Sequence, residues 1–221
     1  MTGSALLDRL KQGIAAYEPL DRWQAVDYRH EAGVLIPVTF FAQEPHIILT
    51  KRAETLSSHR GEVAFPGGKK DDTDTSIIET ALRESHEEIA LPSNKVQVLG
   101  TLDAMITRFG VKVTPVLGLV EPGVPLTPNP EELDAIFQVP LSFFLRDERV
   151  RTDRGRIDGH EVAVPCWHYQ GYEIWGVTAV ILVTMLNRVL GMDIKTGMEQ
   201  LAERVEPGFD YTNWQASEIA D

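Results

Sequence analysis

The chain has one cysteine, Cys166, so no intrachain disulfide can form, and a reducing, cytoplasmic compartment is the expectation. Long apolar runs are missing as well. The longest, Val177 to Leu186, is broken by threonines and followed by Asn187 and Arg188, far short of the ~20 residues a membrane span requires. Basic residues are scarce: 21 Lys and Arg stand against 33 Asp and Glu, a net charge of −12. A surface of that sign repels nucleic acid and anionic membranes, so neither is an expected partner. The first twenty residues lack a basic segment followed by an apolar one, so a secretory leader is not expected. Repeats and low-complexity tracts are absent too. What remains is 221 residues of ordinary globular composition, 43% hydrophobic and 24% charged, enough for one substantial domain.

Periodicity gives a coarse map. Leu6, Leu7, Leu10 and Ile14 recur at helical spacing, with Ser4 as the expected cap. Residues 33–41 and 46–51 read as two strands joined at Gln43-Glu44-Pro45, and Pro37 predicts a bulge or a strand edge. Thr75 to Ile89 is the strongest helical segment. Two β-branched runs then flank Phe109-Gly110, residues 129–141 read as a helical turn leading into a strand, and residues 160–176 read as a hairpin turning at Gln170-Gly171. Trp175 to Leu190 predicts a buried helix. Helices and strands mix without strict alternation, which predicts an α/β (α+β) fold with a mixed sheet sandwiched between helices. The expected organisation is one domain over 1–221, with an N-terminal helical extension to about residue 30 and an irregular tail from about 206.

Within the helix at 75–89, Glu84, Glu87 and Glu88 stand at i, i+3 and i+4, which puts three carboxylates on one face, neighbours roughly 5–6 Å apart at Cβ. Like charges at that spacing repel, and a surface helix gains nothing from them unless cations sit there. Hard divalent ions take oxygen ligands, and Mg²⁺ bridges one or two carboxylates to substrate phosphates. Such ions would also reconcile a net charge of −12 with an anionic substrate. Taken alone, the run equally reads as a solvated face. His86, inside it, reads as a surface residue, because imidazole suits Mg²⁺ poorly.

The preceding Phe65-Pro66-Gly67-Gly68 changes the balance, since two glycines let backbone approach a ligand closely. From here to Leu91 the chain resembles the Nudix hydrolase box, whose second half is filled by Arg83-Glu84-Ser85-His86-Glu87-Glu88-Ile89-Ala90-Leu91. The resemblance implies that Glu84, Glu87 and Glu88 bind Mg²⁺ or Mn²⁺, that Arg83 organises them, and that the loop of Gly67 and Gly68 adds backbone oxygens. The departures are a loop one residue longer, with Asp74 as the nearest acid, Ser85 for an aliphatic, and Ala90 for a glycine. If Ala90 must be left-handed, it costs on the order of 1–2 kcal/mol.

Upstream, "LTKRAETLSSHRGEVAFPGG" resembles the added motif of the coenzyme A-directed Nudix branch, with Leu49, Thr50, Arg52, Ala53, Gly61 and Phe65 to Gly68 in register. Ser57 stands where that motif has a second arginine, and His59 and Arg60 are the nearest substitutes. The resemblance implies hydrolysis of coenzyme A or acyl-CoA, with Arg52, His59, Arg60 and Gly67 at the substrate. Arginine suits phosphate recognition in any case. Glu131, Glu132 and Asp74 are candidates for an additional acid or base. The alternatives are a Nudix pyrophosphatase for ADP-ribose or a dinucleotide, and a non-catalytic nucleotide-binding module. The expected partner is a small molecule, and a homodimer is left open.

Overall fold

The computed structural model of the chain describes residues 2–20, 23, 27–56, 58–197 and 214–216. Thr2, not Ser4, caps the first helix. Its hydroxyl accepts from the Ala5 N–H at 3.4 Å, and α1 runs Gly3–Ala15 with Leu6, Leu10 and Ile14 buried along one stripe. The hairpin follows as β1 (His30–Phe41) and β2 (Glu44–Arg52), paired antiparallel from Val38↔Ile47 to Phe41↔Glu44. Its turn is Ala42-Gln43, both at positive φ (47° and 71°), so Glu44 and Pro45 already belong to β2. The expected Gln43-Glu44-Pro45 turn was displaced because Ala-Gln carries none of the usual Gly or Asn signal of a two-residue hairpin.

Two short strands, β3 (Val63–Ala64) and β4 (Gly67–Lys69), precede α2 (Ile77–Ile89). Beyond it come β5 (Val96–Thr101), β6 (Met105–Ile106), β7 (Val111–Val120) and β8 (Leu133–Pro140). These eight strands form one mixed sheet. β1 lies parallel to β7 over ten residue pairs and antiparallel to both β2 and β4. Pro37, which has no N–H to donate, sits where β1 changes antiparallel partner, between its β4 pairing at Ala32–Val34 and its β2 pairing from Val38.

Alternation fixes the layers. On one face Ile36, Val38, Ile47, Leu49, Val113 and Leu117 pack with α1 and with α4 (Gly176–Arg188); on the other Leu35, Ile48, Val116 and Val120 pack with Ala81 and Ile89 of α2. The expected sandwich of helix, sheet and helix is therefore the observed one. Gly33 sets how closely α2 lies on β1: a Cβ there would fall 2.5 Å from the Ile77 carbonyl oxygen.

After the short α3 (Leu141–Leu145) come β9 (Arg151–Ile157), β10 (His160–Tyr169) and β11 (Tyr172–Ile174), in a second sheet ordered β11-β10-β9-β12, where β12 is Trp214–Ala216. No strand was expected at 151–157, since five of its residues are Arg, Asp or Gly, and it is held by ladder pairing with β10 rather than by apolar alternation. β12 departs from the expected irregular tail; residues 206–213 and 217–221 lie outside the described residues.

Ala90 ends α2 at φ 54°, ψ 30°, left-handed, with its N–H on the His86 carbonyl and the Leu91 N–H on Ser85. The Cβ strain foreseen from the sequence is present. Ala90→Gly should raise stability by about 0.5–1 kcal/mol, the relief being partly offset by a freer unfolded chain, as read by urea unfolding; a loss of stability would contradict it.

Candidate active site

Ser76 caps α2, accepting from the Glu79 N–H at 3.2 Å, while the Glu79 carboxylate reaches back to the Thr75 N–H at 2.7 Å and its hydroxyl at 2.6 Å. This reciprocal cap fixes where the helix begins, and so which way its next turns face. Helical spacing then brings Arg83, Glu84, Glu87 and Glu88 toward the Gly67-Gly68 loop.

Arg83 uses all five N–H groups. Nε and Nη2 grip both oxygens of Asp74 at 2.9 Å, Nη2 also bonds the Lys69 carbonyl at 3.0 Å, and Nη1 holds Glu84 at 3.0 Å and Glu87 at 3.1 Å. A planar fork with fixed donor directions makes this possible, where a lysine would not. Asp74 is buried and also accepts from the Asp71 N–H and the Thr80 hydroxyl, each at 2.9 Å. The Arg83 bonds hold its carboxyl well below the usual range, with help from these two donors. Sequence reasoning placed Asp74 as a stand-in acid near the box; its contacts are those of Arg83's counter-anchor.

Glu84 lies against Gly68: a Cβ at that position would fall 2.3 Å from Glu84 Oε2. Burial raises the Glu84 pKa against the pull of Arg83, with Glu87 and Glu132 adding to the rise. Glu88 is 3% exposed. Its Oε2 accepts from the Gly67 N–H at 3.0 Å, and Arg52 Nη1 stands 3.7 Å from Oε1. Burial pushes its pKa up to about 7, opposed by the Gly67 N–H and Arg52 and reinforced by Glu132 and Glu84. Gly67 is irreplaceable on contact grounds, since its Cβ would lie 2.4 Å from the Gly33 carbonyl oxygen. Glu87 is exposed apart from its bond to Arg83, and His86 is exposed as expected.

The loop before β8 is tied to the end of α2. Asn129 N–H bonds the Glu88 carbonyl at 2.8 Å and Thr127 N–H bonds that of Ile89 at 3.1 Å, satisfying carbonyls the helix leaves open. Glu132 is thereby drawn close enough to act electrostatically on both Glu84 and Glu88. Its carbonyl accepts from Ala53 N–H at 2.8 Å, joining this loop to the upstream motif. Glu131 is exposed, with its N–H on Asn129 Oδ1 at 3.1 Å. Arg52 is the member of the upstream motif that reaches the carboxylates, and its Nε is buried without a hydrogen-bond partner. His59 instead pairs with Glu62 at 2.9 Å, and Arg60 is exposed. Ser57 lies outside the described residues. Asn129 and Gly33 went unnoticed in the sequence because each acts through a contact distant in the chain, and Thr80 because its bond to Asp74 forms only when the loop before α2 folds back.

Among the described residues no three carboxylate, imidazole or thiolate groups stand together so that they could hold a metal ion. The donor set nevertheless fits a hard divalent ion: Glu84 and Glu88 offer oxygens only, and both have raised pKa values to which neighbouring carboxylates contribute. A cation there relieves that repulsion.

A family model described as the NUDIX domain matches residues 29–167. The chain belongs to the Nudix family. As a Nudix hydrolase it acts on phosphorus anhydrides of small molecules, a family chemistry generally supported by divalent ions such as Mg²⁺ or Mn²⁺. It is 41% identical over 177 residues to the "Uncharacterized Nudix hydrolase NudL" of Cronobacter sakazakii, covering 80% of this chain and 91% of that one. It is 43% identical over 163 residues to the protein of the same name from Photorhabdus laumondii, covering 74% and 87%. Among solved structures, a MutT/nudix family protein from Enterococcus faecalis aligns at TM-score 0.48 and 16% identity, covering 90% of this chain and 74% of that one. No helix among the described residues is long and apolar enough to cross a membrane.

A folded-state pKa near 7 on Glu88, above the ordinary 4.5, means that the native state keeps a proton the unfolded chain has lost. Metal-free protein should therefore lose stability as pH rises from about 4.5 through 7, by roughly 3 kcal/mol at most from this group. Glu88→Gln should flatten that decline and leave the chelator-treated variant more stable than wild type at pH 8, as denaturant unfolding will show. Parallel pH profiles for the two proteins would refute it.

Proposed function

We propose that this Nudix hydrolase cleaves the diphosphate of coenzyme A or its acyl derivatives, giving 3′,5′-ADP and (acyl-)4′-phosphopantetheine. The observation that carries the reading is the placement of Arg52, from the motif resembling the coenzyme A-directed branch, 3.7 Å from Glu88 with its Nε unpartnered. That guanidinium is free to donate to a phosphate oxygen on one side while it neutralises the buried carboxylate on the other.

In this reading Glu84, Glu87 and Glu88, with backbone oxygen from the Gly68 loop, hold Mg²⁺ or Mn²⁺. Such an ion supplies charge neutralisation of the diphosphate and acidifies water beside it. Arg83 positions the carboxylates and does not meet the substrate, because all its donors are engaged; Asp74 serves Arg83 and is not the proton acceptor. Arg52 binds the diphosphate, and Gly67 lets that anion approach the backbone. Of the two loop acids, Glu132 is assigned as the base that takes the proton of the attacking water, being the one that Glu84 and Glu88 feel. His59 and Arg60 serve the substrate farther from the phosphorus.

Incubation with Mg²⁺ or Mn²⁺ and a panel of CoA, acyl-CoA, ADP-ribose, NADH and dNTPs, with products resolved by chromatography, tests the substrate. Release of 3′,5′-ADP from CoA compounds is expected; turnover of ADP-ribose or dNTPs without CoA would overturn the assignment. Glu87→Gln and Glu88→Gln should each lower kcat by orders of magnitude with the fold intact. Glu132→Gln should lower it about 100-fold and Glu131→Gln less than about threefold, on the scale of general-base losses. Equal effects of the two loop variants would remove Glu132 from the role.

A further inference from the structure

The loop between β2 and β3 begins at the reaction centre and ends elsewhere. Its base is closed by Arg52 N–H on the Glu62 carbonyl at 2.9 Å and Gly61 N–H on the Arg52 carbonyl at 3.1 Å, so it starts at the arginine beside Glu88. Its far side reaches the tip of the β6–β7 hairpin, where the rings of His59 and Phe109 meet at 88° with centroids 5.2 Å apart. His59 holds a left-handed φ of 54° to do so, a conformation that persists in a non-glycine residue only when its surroundings fix it. Arg108 lies over the Phe109 ring, its guanidinium carbon 4.7 Å from the centroid. The ring is still 48% exposed. A large aromatic residue left half in water at a loop tip, with a cation on it, has surface to offer a flat partner.

Exposed cations also gather at this end of the sheet. Arg29 N–H bonds the Gly110 carbonyl at 2.7 Å, and Lys70 N–H bonds the Glu31 carbonyl at 2.9 Å, so both side chains start beside the hairpin tip. Arg29, Arg60, Lys70 and Arg108 are exposed and form no ion pair among the described residues, as is true of Lys69 beside them in β4 and, elsewhere, of Lys11 and Arg154. In a chain of net charge −12, four uncompensated cations at one end attract an anion. Lys70 follows directly on Lys69, whose carbonyl accepts from Arg83 Nη2 of α2 at 3.0 Å.

We propose that Phe109, with His59 and Arg108 against its ring, is the subsite for the phosphorylated nucleoside of the substrate: the base stacks on Phe109, and Arg108 and Arg60 hold a phosphate remote from the scissile diphosphate. The proposal rests on the reading above of the substrate as a nucleotide diphosphate derivative. It gives the exposed His59 a role at the base and the exposed Arg60 a role at a phosphate outside the scissile diphosphate.

The test is calorimetric titration of metal-free protein with adenosine 3′,5′-bisphosphate, adenosine 5′-monophosphate and, as a base-free control, ribose 5-phosphate. Phe109→Ala should weaken both nucleotides about tenfold, in keeping with stacking contributions measured by alanine substitution, and change ribose 5-phosphate less than about twofold. Phe109→Trp should restore binding, and Arg108→Gln should weaken the bisphosphate more than the monophosphate. Binding of both nucleotides by Phe109→Ala within twofold of wild type, with an unchanged circular dichroism spectrum, overturns the subsite. If wild type binds both nucleotides equally and Phe109→Ala loses both, the subsite stands and the coenzyme A assignment fails. A wild-type preference for the bisphosphate that survives in Phe109→Ala has the opposite meaning.

Discussion

The guanidinium of Arg83 is the fixed point around which the site is built. Clamped on one side by buried Asp74 and on the other by Glu84 and Glu87, it couples the loop after β4 to the helix and fixes where those carboxylates stand. An ion pair with one buried partner is a poor source of net stability, because desolvation offsets most of the attraction. Its value here is geometric. Thr80 and the Asp71 N–H complete the lone pairs of Asp74, so the anchor has one arrangement and passes it to the acidic face.

Two glycines set the other dimension. Gly33 lets α2 settle on β1, and Gly68 lets the Glu84 carboxylate settle on β4. A methyl group at either position would lift the helix or turn the carboxylate, and the spacing between the acidic oxygens and the backbone of β4 would go with it. Burial does the rest: Glu88 is kept at the margin of ionisation near neutral pH, with the Gly67 N–H and Arg52 favouring its charged form.

Much of this was legible in the sequence where the signal was local. The i, i+3, i+4 carboxylates, the apolar stripe of α1, the alternation of β1, β2 and β7, and the left-handed strain at Ala90 all follow from spacing and residue type. What escaped depended on partners far away in the chain. Asp74 read as a substitute acid because its grip on Arg83 appears only once the loop folds back. The strand at 151–157 drew no expectation because ladder hydrogen bonds, not apolar alternation, make it a strand. Ala42-Gln43 gave no turn signal, since strand pairing forces its positive φ values.

The parallel pairing of β1 with β7 has a consequence for how the site comes into being. Residues 42–110, which include Arg52, the glycine loop and every carboxylate of α2, are the chain enclosed when those two strands meet. Closing so long a loop before its contacts reward it makes this a slow, non-local step. During synthesis the acidic helix therefore emerges well before the sheet that gives it a floor. A nascent chain ending short of Val111 contains Glu84, Glu87 and Glu88 but lacks the strand that seats β1, so these carboxylates gain their floor late, with the closing of the sheet.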